Sequence, residues 1–458
     1  MQDHLDHPSS ARAPIIAFVH FDLHPEHFNG VAVEEVKYEQ IFRTLGWQIR
    51  TVAGEGDVSH LIPGMSIRPG PGDPPVEYAR LLSAFTGVDL VWVLNLCSLP
   101  FNRRAADLVV QAVSELNVPT IFNHHDLPWE HDFDYGLPIN KNRRWHTVTT
   151  SNFLLESLMA KGMTAHVLGT GFDTTPPPLS PPGIRATLGL HAKHRLFTQP
   201  TRLDSQKNVL NALQCALSVH RQDPTHPVAY WITGAPGIHA RGQYLTDFFA
   251  LATKCEEEGM IVRWGKCGLP CDPAKAAYAA SDLIFFPPNQ GEGFGMPPVE
   301  AALYMRPITV GSDPRVEATR ADVGLTYLPL DPTAIIEWFT KPEEARNAEL
   351  RLNRLRADSK FSFGSFIQRM RDMLHECDLD DLLEQGEAAL ATPKAKHAAN
   401  PPIKSPLSLD LLSPSCTRNF EHGRYSSGRG RAAANPMMQP NPFALPLLSP
   451  VSPIPALG

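Results

Sequence analysis

Residues 173–183, DTTPPPLSPPG, place five prolines in eleven positions. Proline fixes φ and has no N–H to donate, so this stretch reads as a stiff, extended linker between folded parts. On both sides of it the chain keeps one rhythm. Short apolar, β-rich runs without polar alternation are each followed by a segment of helical period. Before the linker, IIAFVHFDL (15–23), WQIRTVAG, DLVWVLNL (89–96), PTIFNHH, HTVTTS and TAHVLGTG read as strands. Between them VAVEEVKYEQIFRTLG, RRAADLVVQAVSELN and NFLLESLMAKG read as helices, the first ending at Gly46. After the linker the strands are HRLFTQPTR, PVAYWITG, MIVRWG, LIFFP and RPITVGS. The helices are KNVLNALQCALSVHRQ, YLTDFFALATKCEEEG, DPAKAAYAASD and PVEAALYM.

Runs that are apolar on both faces belong in parallel sheets covered by helices. The alternation therefore predicts an α/β chain with two Rossmann-like, doubly wound domains facing a cleft. These are residues 14–172 and 195–345, with the linker at 173–194. Residues 346–377 are helical by period and end the folded part. A chain of 458 residues is too long for one core, which agrees with two domains. Residues 389–458 differ in kind: 12 prolines stand among many Ala, Ser and Asn and few aromatics. That composition cannot bury enough apolar surface to offset ordering entropy, and it predicts a disordered Pro-rich tail.

The formal charge of −7 argues against nucleic-acid binding as the main task, so no nucleic-acid partner is expected. The first residues, MQDHLDHPSSARAP, do not have the form of a signal peptide, and no run of about 18 apolar residues occurs. Seven cysteines, an odd number without framework spacing, fit a reduced, cytoplasmic protein. Cys267 and Cys271 in KCGLPC lack the second pair that a zinc site needs. His20, His24 and His27 invite a metal reading, but histidines lining an acceptor pocket fit better. No residue is assigned to a metal, and no cofactor is expected.

In open parallel sheets ligands sit beyond the carboxyl ends of the strands, so chemistry is sought in the strand-to-helix loops. The loop QGEGFGMPPVE, residues 290–300, follows the strand LIFFP. Its glycines let backbone N–H groups approach a ligand, and Pro297 or Pro298 suits the first helical position. The N–H groups at such a helix start favour an anion. Glu292 and Glu300, two carboxylates beside that site, are suited to accept hydrogen bonds from sugar hydroxyls. The loop TRLDSQKNV, residues 201–209, adds Arg202 and Lys207, the usual partners of a diphosphate. Each loop alone is also consistent with solvated surface charge. Together they fit a nucleotide-diphosphate sugar.

With these loops in view, roughly residues 14–376 resemble the retaining glycosyltransferases of the two-Rossmann GT-B type, family 4. The strongest part is VRWGKCGLPCDPAKAAYAASDLIFFPPNQGEGFGMPPVEAALYMRPI, which resembles the family's strand, helix, strand and acid-x7-acid signature. The resemblance implies that Glu292 holds hydroxyls of the donor sugar and Glu300 the ribose. It implies that Gly293, Phe294 and Gly295 offer backbone near sugar and phosphate. Arg202 and Lys207 would neutralise the diphosphate as leaving group. Trp264 to Lys266 would line the base pocket. In NHHDLPWE, His125 corresponds to the histidine that approaches the reacting sugar, and Asp126 to a residue that orients it or caps the turn. The glycine loop after the first strand is FNGVA: Gly30 fits, and Asn29 stands where a second glycine is common. Arg306 and the segment SDPRVEATR also depart from the pattern. FSFGSFIQRMRDML resembles the closing helix that crosses back to the first domain.

The implied activity is transfer of a hexose from a nucleotide sugar to a hydroxyl acceptor (a sugar, a glycan or a lipid-linked group), with retention. The base, the sugar and the acceptor stay open. KNRRWH, residues 141–146, is the candidate for peripheral membrane contact, and a solvated loop is its plainer reading. Three alternatives are a sugar phosphorylase or synthase on the same fold, a nucleotide-binding oxidoreductase, and a non-catalytic scaffold. The oxidoreductase would need GxGxxG after the first strand, where HPEHFNG stands instead. The four charged loop residues argue against the scaffold.

Overall fold

The computed structural model describes residues 12–391 except 24–29, 68, 70, 71, 73, 139–141, 176–182, 238, 239, 268–272, 290, 291 and 293. The Pro-rich core of the linker, His24, His27, Asn29, Gly293 and the tail from residue 392 onward thus lie outside the described residues.

The apolar run IIAFVHFD forms β1 (Ile15–Asp22), almost wholly buried, and is followed by α1 (Gly30–Thr44). Then come β2 (Gln48–Glu55), β3 (His60–Leu61), α2 (Tyr78–Phe85), β4 (Leu90–Leu94), α3 (Arg103–Glu115), β5 (Thr120–His124), β6 (Trp145–Thr149), α4 (Asn152–Met159) and β7 (His166–Val167). These strands pair in parallel in the order β3-β2-β1-β4-β5-β6-β7. One face packs on α2 and α3 through Val19, Phe85, Val93 and Val109; the other packs on α1 through Phe18, Tyr38, Phe42 and Trp92.

The second series runs α5 (Ile184–Thr187), β8 (Arg195–Gln199), α6 (Val209–Gln222), β9 (Val228–Ile232), α7 (Gln243–Glu257), β10 (Ile261–Trp264), α8 (Pro273–Ala280), β11 (Leu283–Phe286), α9 (Met296–Leu303), β12 (Ile308–Val310), α10 (Pro314–Val323) and β13 (Leu328–Pro329). Its sheet is also parallel, in the order β10-β9-β8-β11-β12-β13. In both sheets the first strand made, β1 or β8, lies between strands that continue in opposite directions. Each sheet therefore has a switch point, between β1 and β4 and between β8 and β11. That is where the loops of a doubly wound sheet part and leave a crevice.

The helical segment after β13 divides into α11 (Pro332–Thr340), α12 (Glu343–Phe361), α13 (Phe363–Glu376) and α14 (Asp380–Ala391). Asp331 and Ser362 cap α11 and α13 with side-chain oxygens. Helix α13 leaves the second sheet's side and buries Phe366, Met370, Met373 and Leu374 in the first sheet's core with Tyr38 and Trp92. Where α12 gives way to α13, Phe172 N donates to Phe361 O at 2.8 Å and Phe172 bridges Ser362. The two chain crossings between the sheets are thus bonded to each other. Arg369 adds bonds to the carbonyls of Leu168 and Thr170 at 3.1 Å each, and Arg354 one to Thr174 at 2.7 Å.

The structure adds elements to the sequence reading and shortens others. Only His166–Val167 of TAHVLGTG is strand. Helix α2 and the short β3, β13 and α5 were not anticipated. The folded part also continues past 377 into α14, which takes in residues 389–391 of the expected tail. Gly386, in the middle of α14, reads as a helix breaker. Here it is a contact: a Cβ on Gly386 would lie 2.3 Å from Leu45 O, and one on Gly46 2.1 Å from Gly386 O. Gly46 also has φ +84, as a helix-ending residue requires. Gly46→Ala is therefore expected to cost about 2–4 kcal/mol through strain and undocking of α14. Urea unfolding checks this, and an unchanged midpoint would contradict the close approach.

Candidate functional site

The loop after β8 is built from inside the sheet outward. Gln199, the last residue of β8, is fully buried. Its Nε2 donates to Lys207 O at 2.7 Å, and its Oε1 accepts from Tyr230 OH at 2.7 Å. Asp204, also fully buried, caps the single 3-10 turn Ser205–Lys207 through Gln206 N. Asn208 then takes a left-handed φ of 55° and starts α6. The backbone carrying Lys207 is thus fixed on both sides.

The loop after β11 lies against this turn, with Asn289 N donating to Gln206 O at 3.2 Å. Lys207 Nζ forms an ion pair with Glu292 Oε1, across 85 residues of sequence. The two side chains are only 18% and 11% exposed, so the pair is largely withdrawn from water. Helix α9 begins directly after Gly295, whose φ is +75° and whose position has no side-chain cap. Met296 is its first residue, and Pro297 and Pro298, which have no N–H to donate, follow it. The remaining N–H groups of its first turn have no partner within the helix, and they are available to an anion. Glu300 Oε2 accepts from Tyr278 OH at 2.6 Å, and Tyr278 stacks on Tyr304. Arg202 is exposed, and its side chain forms no hydrogen bond or ion pair with the described residues.

Phe294 does more than the sequence suggested. Its ring packs on Phe361 and Phe172, with centroids 5.5 and 6.5 Å away. Trp264, 40% exposed at the end of the edge strand β10, lies edge-on to Phe248 and Phe249 of α7 at 5.7 Å. The structure does not join it to the Lys207–Glu292 pair.

In the first sheet, Asn95 organises the end of β5. With φ 48° it accepts at Oδ1 from His125 N (3.0 Å) and Asp126 N (3.2 Å), and its Nδ2 donates to Asp126 Oδ2 at 2.8 Å. Asp126 is thereby bonded to Asn95. His125 Nε2 is buried without a hydrogen-bond partner. Burial lowers the His125 pKa against the opposing pull of Glu34 and Asp126, so its imidazole is neutral at pH 7. His20, at the end of β1, is held through Nδ1 to Leu94 O at 2.6 Å, and burial lowers its pKa to about 4. His124 is bonded to Ser98 Oγ at 2.7 Å and lowered by burial to about 3. Gly30 opens α1 with free space around it.

A chain of contacts leads from α1 to the acid loop. Glu34 of α1 binds Lys37 Nζ and Thr170 Oγ1, each at 2.6 Å, and Lys37 sits 4.5 Å above the Phe172 ring. Phe172 in turn meets Phe294 of the acid loop. The sequence reading missed Gln199, Asn95, Glu34, Lys37 and Phe172. Only the asparagine had a local signal, since Asn is the residue most at ease with positive φ after glycine.

No family model and no curated protein matches the sequence. Solved structures do match. HepE of Anabaena, seen with UDP and glucose, aligns with TM-score 0.58 at 16% identity, over 79% of this chain and 99% of its own. This is the GT-B fold. Sucrose-phosphate synthase of Thermosynechococcus elongatus has TM-score 0.58 at 13% identity, over 80% of this chain and 100% of its own. A glycosyltransferase of Rickettsia africae gives 0.58 at 13% identity, over 80% and 98%. The GT-B frame accounts for the switch points and the bonded double crossing described above. Among the described residues no helix is long and apolar enough to cross a membrane.

Proposed function

We propose that the protein is a family 4 glycosyltransferase that moves a hexose from a nucleotide-diphosphate sugar to a hydroxyl acceptor with retention. The observation that carries this reading is the Lys207–Glu292 pair, set across the ends of β8 and β11 beside the uncapped start of α9. A cation, unpaired helix N–H groups and two carboxylates at one switch point suit a ligand that is anionic at one end and hydroxylated at the other.

In this reading Arg202, Lys207 and the α9 N–H groups receive the diphosphate and stabilise the charge that grows on it as the glycosidic bond breaks. These cations make a metal ion unnecessary for donor activation. Glu292 accepts bonds from sugar hydroxyls, and Glu300, steadied by Tyr278, from the ribose. Backbone at Gly295 lies beside the phosphates. The neutral His125 faces the reacting sugar from the first domain. The leaving phosphate takes the acceptor proton on the face it departs from, which accounts for retention without a carboxylate nucleophile. The UDP and UDP-glucose found with HepE make a uridine donor the first to test.

The test is a thermal-shift series with UDP, GDP, ADP and NAD, on wild type and Arg202→Ala. The exposed Arg202 side chain has no partner among the described residues, so its loss should leave the unliganded melting point within about 1 °C, as for an ordinary surface substitution. One diphosphate should raise the wild-type melting point, and clearly less so in the variant. A response to NAD alone, or to none of the four, would overturn the proposal.

A further inference from the structure

On the first sheet, away from the loops described above, three metal-binding side chains converge. His146 lies on β6, His166 on β7 and Cys377 just beyond the end of α13, and one ligand atom from each lies within 4.8 Å of the others. Strand register puts them on one face. Val148 pairs with His166, and His146 is two residues before Val148. Residues i and i+2 share a sheet face, and Val148 belongs to the core that α13 covers.

We propose that His146, His166 and Cys377 form a zinc site that pins the end of α13 to the edge of the first sheet. Two imidazoles and one thiolate are a borderline-soft donor set, which selects zinc over magnesium or calcium. Zinc bonds of about 2.0–2.3 Å place tetrahedral ligands about 3.5 Å apart, so rotamer adjustments of about 1 Å close the site. His166 Nδ1 is already bonded to Glu376 Oε2 at 2.7 Å, which leaves Nε2 for the ion. A carboxylate behind a ligating histidine fixes its ring and raises its basicity. Glu376 and Asp378 flank Cys377, and their charge complements a dication whose thiolate neutralises only half of it. Water completes the fourth position, and the thiol proton leaves to solvent on binding. The thiol is unoxidised, and its Sγ donates to Met373 Sδ at 3.7 Å. The consequence is mechanical. Helix α13 is one of the two crossings between the sheets, and a metal staple at its far end holds that crossing in place.

The experiment uses the full chain, stripped with chelator, reloaded with zinc and desalted. Elemental analysis should find about one zinc per chain in wild type and in Cys267→Ser, a control thiol outside the site. Cys377→Ser and His146→Gln should each retain less than about one tenth of that. Cobalt(II) in place of zinc should give a thiolate charge-transfer band in wild type, a readout that depends on no variant folding. Folded wild type that retains no metal and shows no such band would overturn the site. So would zinc kept by Cys377→Ser and lost by Cys267→Ser.

Discussion

Replacing Lys207 with alanine is expected to remove transfer and to weaken the fold at once. The Lys207–Glu292 pair is largely buried, so the variant leaves the Glu292 carboxylate without its counter-ion. Removing one partner of such a pair costs about 3–5 kcal/mol, because the remaining charge stays desolvated. Transfer, followed as nucleoside diphosphate release, should fall about 10²- to 10³-fold, the usual loss when one electrostatic donor to a leaving group is removed. The two effects can be separated. Lys207→Met combined with Glu292→Leu removes both charges, and apolar replacements of buried pairs are often neutral or stabilising. The double variant should therefore recover stability in urea unfolding and remain inactive. A Lys207→Ala protein with wild-type midpoint and turnover would show that the pair is neither buried nor catalytic.

The second large effect is acid lability beginning near neutral pH. His20 and His124 are buried and neutral, with pKa values lowered by desolvation to about 4 and about 3, against an ordinary value of 6.5. Below pH 6.5 the unfolded chain protonates these histidines and the folded chain does not. The unfolded state then binds more protons, and stability falls as pH falls. Each histidine contributes a slope of up to about 1.4 kcal/mol per pH unit between its two pKa values. His125, also lowered, adds to the same slope. Glu35 acts in the opposite sense. Burial and Glu39 raise its pKa, so above pH 4.5 it costs stability as pH rises. Three histidines outweigh one carboxyl, so a net loss is expected from pH 6.5 down to about 4. Urea midpoints across that window measure it. His124→Gln, which can keep a bond to Ser98, should flatten the slope by about 1 kcal/mol per unit. An unchanged slope in that variant would mean that His124 is solvated in the folded protein.

Much of the site was legible in the chain because each half is local. The glycines, prolines and acids of residues 290–300 and the cations of residues 201–209 follow directly after apolar runs, and strand, loop and helix period all read from neighbouring residues. The loops therefore fall at the ends of β8 and β11, and the acid loop leads into a helix started by glycine and proline. What holds the loops was not legible. Gln199 and Asn95 act through partners 8 and about 30 residues away. The Glu34–Thr170 bond spans 136 residues, and the Phe172–Phe294 contact joins the two halves of the chain.

By itself, then, the sequence determined the parallel α/β class and the place of the two charged loops at strand ends. Hydrophobic period and turn chemistry are properties of adjacent residues. Only the tertiary structure decided that Lys207 meets Glu292, that α13 returns to the first sheet, that Gly386 is a contact rather than a break, and that two histidines and a distant cysteine converge. Each of these depends on which surfaces bury one another, and burial is settled between segments far apart in the chain.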